Sequence, residues 1–242
     1  MTILLLAGTG EAKEIAKGLG MRNVPAIASL AGATRFPGAL GLPTRIGGFG
    51  GDEGFRRYLR TEGIGAVVDA THPFASRISM RTWGICLEED VSHCQVLRRE
   101  WTSEPDDDWI MIDSEEDAAQ FIMPGSVVFV ATGRQTLDRF ANLRECRIIC
   151  RQIDPPDRAF PYPNGEYLIS RPPFGVNDEY CLFKRLNVDW LIAKNAGGNA
   201  SRTKLLAARK LGIKVAMINR PPQPDSLKME TAEQALDWVE SL

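Results

Sequence analysis

The sequence predicts an α/β protein of two Rossmann-like domains with mainly parallel sheets and an interdomain cleft. Three observations predict it. The chain has 242 residues, enough for two small domains that share an interface. Short apolar runs alternate with helix-period patterns along its length, as parallel strands joined by crossover helices require. The first apolar run ends in Gly8-Thr9-Gly10, a tight turn that opens a helix.

The elements follow in order. Residues 3–7 read as a buried strand and 11–19 as a helix. Residues 24–30 form a second strand, 51–62 a helix, and 66–70 (Ala-Val-Val-Asp-Ala) a third strand. Pro73 introduces a helix over 75–90, since a missing N–H costs nothing in a first turn, and 95–99 is a strand. The texture then changes. Glu104-Pro-Asp-Asp-Asp108 is an acidic, proline-containing stretch, and it sets the domain boundary: 1–103 and 104–242. Ser114 begins a helix with Asp117 as its capping partner. Strands are expected at 126–131, 147–152, 190–194 and 214–218, and helices after Arg134 and over 176–187 and 201–211. Residues 154–164 are a loop, and Thr231 with Gln234 starts the closing helix.

Composition excludes several classes. Lys plus Arg total 29 and Asp plus Glu 31, a net charge of -2, which argues against nucleic acid held by general phosphate attraction. A hydrophobic share of 44% and a charged share of 25% are those of a globular protein. No apolar run approaches the roughly 18 residues of a membrane span, and the N-terminus lacks the basic region of a signal peptide. Five cysteines without framework spacing read as reduced thiols, so a cytoplasmic location is expected. Two histidines cannot build a three-histidine metal site, and no metal is expected.

The glycine turn is the first candidate site. In a dinucleotide fold the first Gly makes the turn, and the second lets the backbone approach a pyrophosphate. The helix N-terminus then offers free N–H groups and a positive dipole end. Gly8, Thr9, Gly10 and Glu11 are the candidate contacts; the third glycine position falls on Lys13. An NAD site normally has an acid after the second strand for the ribose hydroxyls. Here no acid occurs between Glu14 and Asp52, and the strand end reads Ser29-Leu-Ala-Gly32-Ala-Thr-Arg35. That composition suits a 2′-phosphate, so the cofactor is expected to be NADPH, with Ser29, Gly32 and Arg35 nearby. Thr71 and His72 follow the third strand, beside the first across the topological switch point, where a nicotinamide would lie. His72 is a candidate catalytic acid as well as a cofactor contact; a helix-capping role for either residue stays open.

In the second half, several strand ends carry a cation. Lys194-Asn-Ala-Gly197-Gly198 precedes a helix with Arg202 and Lys204 at its start; Thr132-Gly-Arg134, Ser170-Arg171 and Arg220-Pro221 repeat the pattern. Arg134, Arg171, Lys194, Gly197, Gly198 and Arg202 are the candidate substrate contacts. A ligand with several carboxylates accounts for such a set; Lys204 reads better as a helix-surface charge.

In order, Gly8-Thr-Gly-Glu-Ala12, Asp69-Ala-Thr-His-Pro-Phe-Ala75, Thr132-Gly-Arg134, Lys194-Asn-Ala-Gly-Gly198, Ala207-Ala-Arg-x-Leu-Gly-Ile213 and Arg220-Pro221 span nearly the whole chain. This pattern resembles the precorrin-6A reductases of cobalamin biosynthesis, cobalt-precorrin-6A reductases included. The resemblance implies an NADPH-dependent oxidoreductase acting on a CH-CH bond, which reduces one double bond of the precorrin-6A macrocycle to give precorrin-6B. It implies hydride delivery to ring carbon C19 and, in the anaerobic branch, a cobalt-containing ring. The partner is then a tetrapyrrole with several carboxylates, with transient contact to neighbouring pathway enzymes. Residues 1–103 become the NADP(H)-binding domain and 104–242 the substrate side of the cleft. Two alternatives share the first turn: a non-catalytic NADP-sensing protein, and an S-adenosylmethionine-dependent methyltransferase. The latter usually carries the acid that is missing after the second strand.

Overall fold

The computed structural model describes residues 1–32 and 38–242, and the chain divides into two compact units. The first unit begins with β1 (Thr2–Leu6), α1 (Gly10–Met21), β2 (Ala26–Leu30), β3 (Thr44–Ile46), α2 (Gly51–Thr61), β4 (Ile64–Asp69), α3 (Ser76–Glu88) and β5 (Ser92–Val96). The strands are all parallel, in the order β5-β4-β1-β2-β3. β1 is central, and Ile3, Leu4 and Leu5 are fully buried because helices cover both faces of a parallel sheet. Ile3 and Leu5 meet the stripe Ala12, Ile15, Ala16 and Leu19 of α1, while Leu4 and Leu6 pack with Phe55 and Leu59 of α2. The chain runs outward from β1 through β2 to β3, and α2 then carries it back to β4 on the other side of β1, so β1 and β4 flank the topological switch point. Their carboxyl ends are the default ligand edge of such a sheet.

The second unit is Glu100–Arg220. It contains β6 (Trp109–Ile112), β7 (Val127–Val130), β8 (Arg147–Gln152), β9 (Gly165–Ile169), α4 (Val176–Leu186), β10 (Trp190–Lys194), α5 (Thr203–Leu211) and β11 (Lys214–Ile218). All pairings are parallel, in the order β6-β11-β10-β7-β8-β9. Its core gathers Phe129, Phe183, Leu191, Leu205 and Met217. The expected helix at Ser114 is a short 3-10 turn, Glu116–Gln120, and Asp117 Oδ2 accepts both the N–H and the hydroxyl of Ser114.

The last residues correct the expected domain boundary. Placing all of 104–242 in one domain fails for 221–242, which return to the first unit. β12 (Leu227–Met229) pairs in parallel with β5 and extends that sheet to six strands. α6 (Ala232–Glu240) packs beside α1, where Leu236 lies so close to Gly18 that a Cβ there would come within 2.4 Å of its Cδ1. The acidic break marks only the outward crossing of the chain; the return is marked by the proline-rich Arg220-Pro221-Pro222-Gln223-Pro224, which reads equally well as a strand end. The closing helix begins as read: Thr231 Oγ1 accepts from Gln234 N at 3.2 Å, and Gln234 Oε1 accepts from Thr231 N at 3.3 Å.

Candidate active site

The turn from β1 into α1 is built on Thr9. Its Oγ1 accepts the Ala12 N–H at 3.2 Å, the bond of a helix N-cap. The N–H groups of Gly10 and Glu11, in the same first turn, have no carbonyl one turn back to bond. A Cβ at Gly8 or Gly10 would meet nothing within 4 Å, so protein packing does not explain the glycine at position 10. Open space against exposed N–H groups fits a pyrophosphate, which needs that close approach. The departure at Lys13 is harmless, because residue 13 is exposed and small Ala12 and Ala16 face the sheet instead. The Glu11 carboxylate pairs with Arg98 at 2.5 Å. Its negative charge is thereby offset beside the helix N-terminus, and the residue's suitable contribution to an anion is its N–H.

The second turn leaves β4. Thr9 Oγ1 donates to the Ala70 carbonyl at 2.9 Å, which ties the two turns together across the switch point. Asp69 is fully buried, and its Oδ1 accepts from Thr71 N at 3.1 Å and Thr71 Oγ1 at 2.7 Å. Thr71 is therefore held by an acid to which the sequence reading gave no role. His72 is exposed, and its Nδ1 accepts the Phe74 N–H at 3.2 Å. That bond places the ring proton on Nε2, the only position from which the neutral ring can donate. A buried imidazole lies farther along the same face: burial holds His93 below the usual histidine range, and nearby Asp69 opposes that shift. Gln223, from the returning segment, donates to the carbonyl of Pro73 at 2.9 Å.

At the end of β2, Ser29 is buried and bonded to Arg45 of β3 at 2.8 Å. Gly32 turns the chain with φ 81°. Arg35 lies outside the described residues. Gly8, Thr9, Gly10, Glu11, Ser29, Gly32, Thr71 and His72 thus come together on one edge of one sheet.

In the second unit, the parallel pairing brings Arg134, Arg171 and Lys194 to the carboxyl edge of that sheet. Each already has an internal partner: Asp157 at 3.4 Å, Asp154 at 3.2 Å and Glu115 at 3.6 Å. Arg202 pairs with Glu104, which also holds Arg209. Partly exposed pairs such as Arg134–Asp157 are worth about 0–1 kcal/mol, so a carboxylated ligand exchanges for them at little cost. Lys194 differs. It is half-buried against a Glu115 that is 4% exposed, and burial lowers its pKa while Glu115 works the other way. Gly197 and Gly198 have φ 70° and 80°, a left-handed pair open to glycine. Asn195 locks this turn. Its Oδ1 accepts from Trp101 N at 2.9 Å and its Nδ2 donates to Trp101 O at 3.1 Å, while Trp101 Nε1 donates to Gly198 O at 2.8 Å. Among the described residues no group of three metal-ligating side chains comes together, and no helix is long and apolar enough to cross a membrane.

Comparison with known proteins settles the family. Residues 2–240 match the family described as Precorrin-6x reductase CbiJ/CobK. The chain belongs to the precorrin-6x reductase family. It is 40% identical to a precorrin-6A reductase of Rhodococcus erythropolis, an alignment covering 99% of this chain and 98% of that one. It is 38% identical to a precorrin-6A reductase of Rhodobacter capsulatus, covering 98% and 95%. The solved structure of a CobK precorrin-6A reductase superposes with a TM-score of 0.96 at 37% identity, covering 100% of this chain and 96% of that one. This member of the family therefore has the two-sheet fold that its motifs implied. Arg45, Asp69, Arg98 and Glu115 are among the residues to which the sequence assigned no role. Of these four, Asp69 left a signal, as an acid closing an otherwise apolar strand.

Proposed function

We propose that the chain is an NADPH-dependent reductase that saturates one double bond of the precorrin-6A macrocycle, giving precorrin-6B. Family membership over residues 2–240 carries this reading, and the glycine turn at the switch point supports it. Bound NADPH supplies the hydride. The remaining work belongs to the protein. The N–H groups of Gly10 and Glu11 hold the pyrophosphate, with Gly8 and Thr9 shaping the turn. Ser29 and Gly32 border the adenosine ribose. Thr71, fixed by Asp69, and His72 stand at the β4 end, where the ring that gives up hydride is expected. Arg134, Arg171, Lys194 and Arg202, with the Gly197-Gly198 turn, serve the carboxylates of the macrocycle. The reduction adds a hydride and a proton across the double bond and leaves NADP⁺. His72 Nε2 is the candidate proton donor on the chain. Holding both reactants in register is the larger contribution; a positioned acid adds about 10²–10⁴-fold.

The test is anaerobic incubation of the protein with precorrin-6A and NADPH. The expected result is oxidation of one NADPH per ring and a product heavier by two hydrogens. NADPH binding without oxidation by precorrin-6A or its cobalt form favours an NADP-sensing protein instead.

A further inference from the structure

Deepening the NADPH reading, and resting on it, we propose that Arg45 is the residue that selects a 2′-phosphorylated cofactor. Arg45 lies on the edge strand β3, in register with Ser29 of β2, so the two side chains stand on the same face. Its Nη1 donates to Ser29 Oγ at 2.8 Å and to the Gly47 carbonyl at 2.9 Å, and its Nη2 donates to the Gly48 carbonyl at 2.8 Å. The guanidinium lies 3.9 Å over the Phe49 ring and 5.3 Å from the Tyr58 ring.

Three points give this cluster its chemistry. The first is charge. Arg22, Arg56, Arg60 and Arg98 of the same unit each pair with a carboxylate, whereas Arg45 has no carboxylate partner among the described residues. Its held partners are two carbonyls and a hydroxyl, which orient the cation without neutralising it. The second is donor arithmetic. A guanidinium has five N–H donors; three are used here, which leaves two for a phosphate. Ser29 Oγ accepts from Arg45, so its own proton is available to the same phosphate oxygen. The third is position. β2 ends where an NAD site places the acid that takes the ribose hydroxyls, and a carboxylate there would repel a 2′-phosphate. This chain sets a hydroxyl at that strand end and a fixed cation one strand over. The fork is rigid before the ligand arrives, so little side-chain entropy is lost on binding.

Calorimetric titration of the full-length protein tests this with four ligands: NADPH, NADH, adenosine 2′,5′-bisphosphate and AMP. Arg45→Gln should raise the dissociation constants of NADPH and the bisphosphate about 100-fold, and those of NADH and AMP less than about threefold. Arg45→Lys should recover part of the loss, since it keeps the charge without the fork. Ser29→Ala leaves both carbonyl bonds of Arg45 in place, and should weaken the two phosphorylated ligands roughly tenfold. Equal weakening of all four ligands by Arg45→Gln would reassign Arg45 to holding the Gly47-Gly48 turn and overturn the proposal. Unchanged NADPH affinity in that variant overturns it as well. If the unmodified protein binds NADH as tightly as NADPH, 2′-selection fails while the reductase reading stands. If it binds neither, both fail.

Discussion

The hydroxyl of Thr9 donates to the carbonyl of Ala70 at 2.9 Å while accepting the N–H of Ala12 at 3.2 Å. One side chain thus caps α1 and fastens it to the residue that follows β4. The proposed pyrophosphate turn and the Thr71-His72 turn are held at a fixed spacing by this atom. Asp69 then orients Thr71 from below through two further bonds. Hydride transfer depends on such registration, since misplacement of reacting atoms by about 1 Å lowers rates roughly 100-fold.

Thr9→Val therefore removes a cap and a tie together. Loss of the cap costs about 1 kcal/mol of stability. NADPH affinity should fall roughly tenfold, since a lost hydrogen bond near a charged ligand is worth about 1.5 kcal/mol. Thr9→Ser should retain both properties. Thermal melting read beside a fluorescence titration of NADPH separates the two effects; a Thr9→Val protein with normal NADPH affinity contradicts the assignment of this turn.

Arg98 offsets the charge of Glu11 next to the α1 N-terminus. Arg98→Met leaves that carboxylate facing the proposed pyrophosphate, and the NADPH dissociation constant should rise about tenfold. Adding Glu11→Gln to that variant removes the repelling charge. The double variant should return to within about threefold of the unmodified protein, a coupling that a double-mutant cycle reads directly. Additive losses would mean that Glu11 does not face the anion.

How much of this was legible in the sequence follows burial. β1, β4, β10 and β11 are central, fully covered strands, and their unbroken Ile, Leu, Val and Ala runs identify them. The unpredicted β3, β9 and β12 are edge strands that expose part of their length, so no apolar run marks them, whereas β6 is an apolar run of only four residues, Trp-Ile-Met-Ile, directly after the acidic stretch. The site divides the same way. Gly8-Thr9-Gly10 and the Thr71-His72 turn follow predictable strands, and the fold brings both to one edge of the sheet. Arg45 drew no attention because its short edge strand was not predicted, and Arg35 lies outside the described residues. The partners Glu104, Glu115, Asp154 and Asp157 were invisible because only tertiary packing sets them against the cations.

Burial lowers the pKa of His93 below the ordinary value of 6.5. The folded state therefore resists protonation at a pH where the unfolded chain accepts it, and stability rises with pH. The contribution is complete above about pH 6.5 and is lost as pH falls through the depressed folded pKa, with a slope of at most about 1.4 kcal/mol per pH unit. Urea unfolding across that range should show His93→Gln losing less stability on acidification than the unmodified protein. Parallel curves would remove His93 from the acid response.

Leu236 packs on α1 at Gly18, so the C-terminal helix belongs to the first core. Leu236→Ala should cost about 2–5 kcal/mol. Hydrogen exchange should then speed up in α1 and α6 together, residues 10–21 and 232–240, while β7 and β10 keep their protection. Loss of protection in the second sheet alone would show that 221–242 do not stabilise the first unit.

Lys194 and Glu115 should respond unequally to removal. Glu115→Gln leaves a half-buried ammonium without its carboxylate, an arrangement that costs about 3–5 kcal/mol when fully desolvated and less here. Lys194→Met leaves Glu115 with Arg139 at 3.2 Å, and an alkyl chain replaces the buried part of the lysine. The glutamine variant should therefore melt at the lower temperature. In steady-state kinetics Lys194→Met should raise the KM for the macrocycle far more than the dissociation constant of NADPH, because Lys194 and the glycine turn belong to different units. An equal effect on both constants would move Lys194 to the cofactor, and no effect on either would leave it a purely structural partner of Glu115.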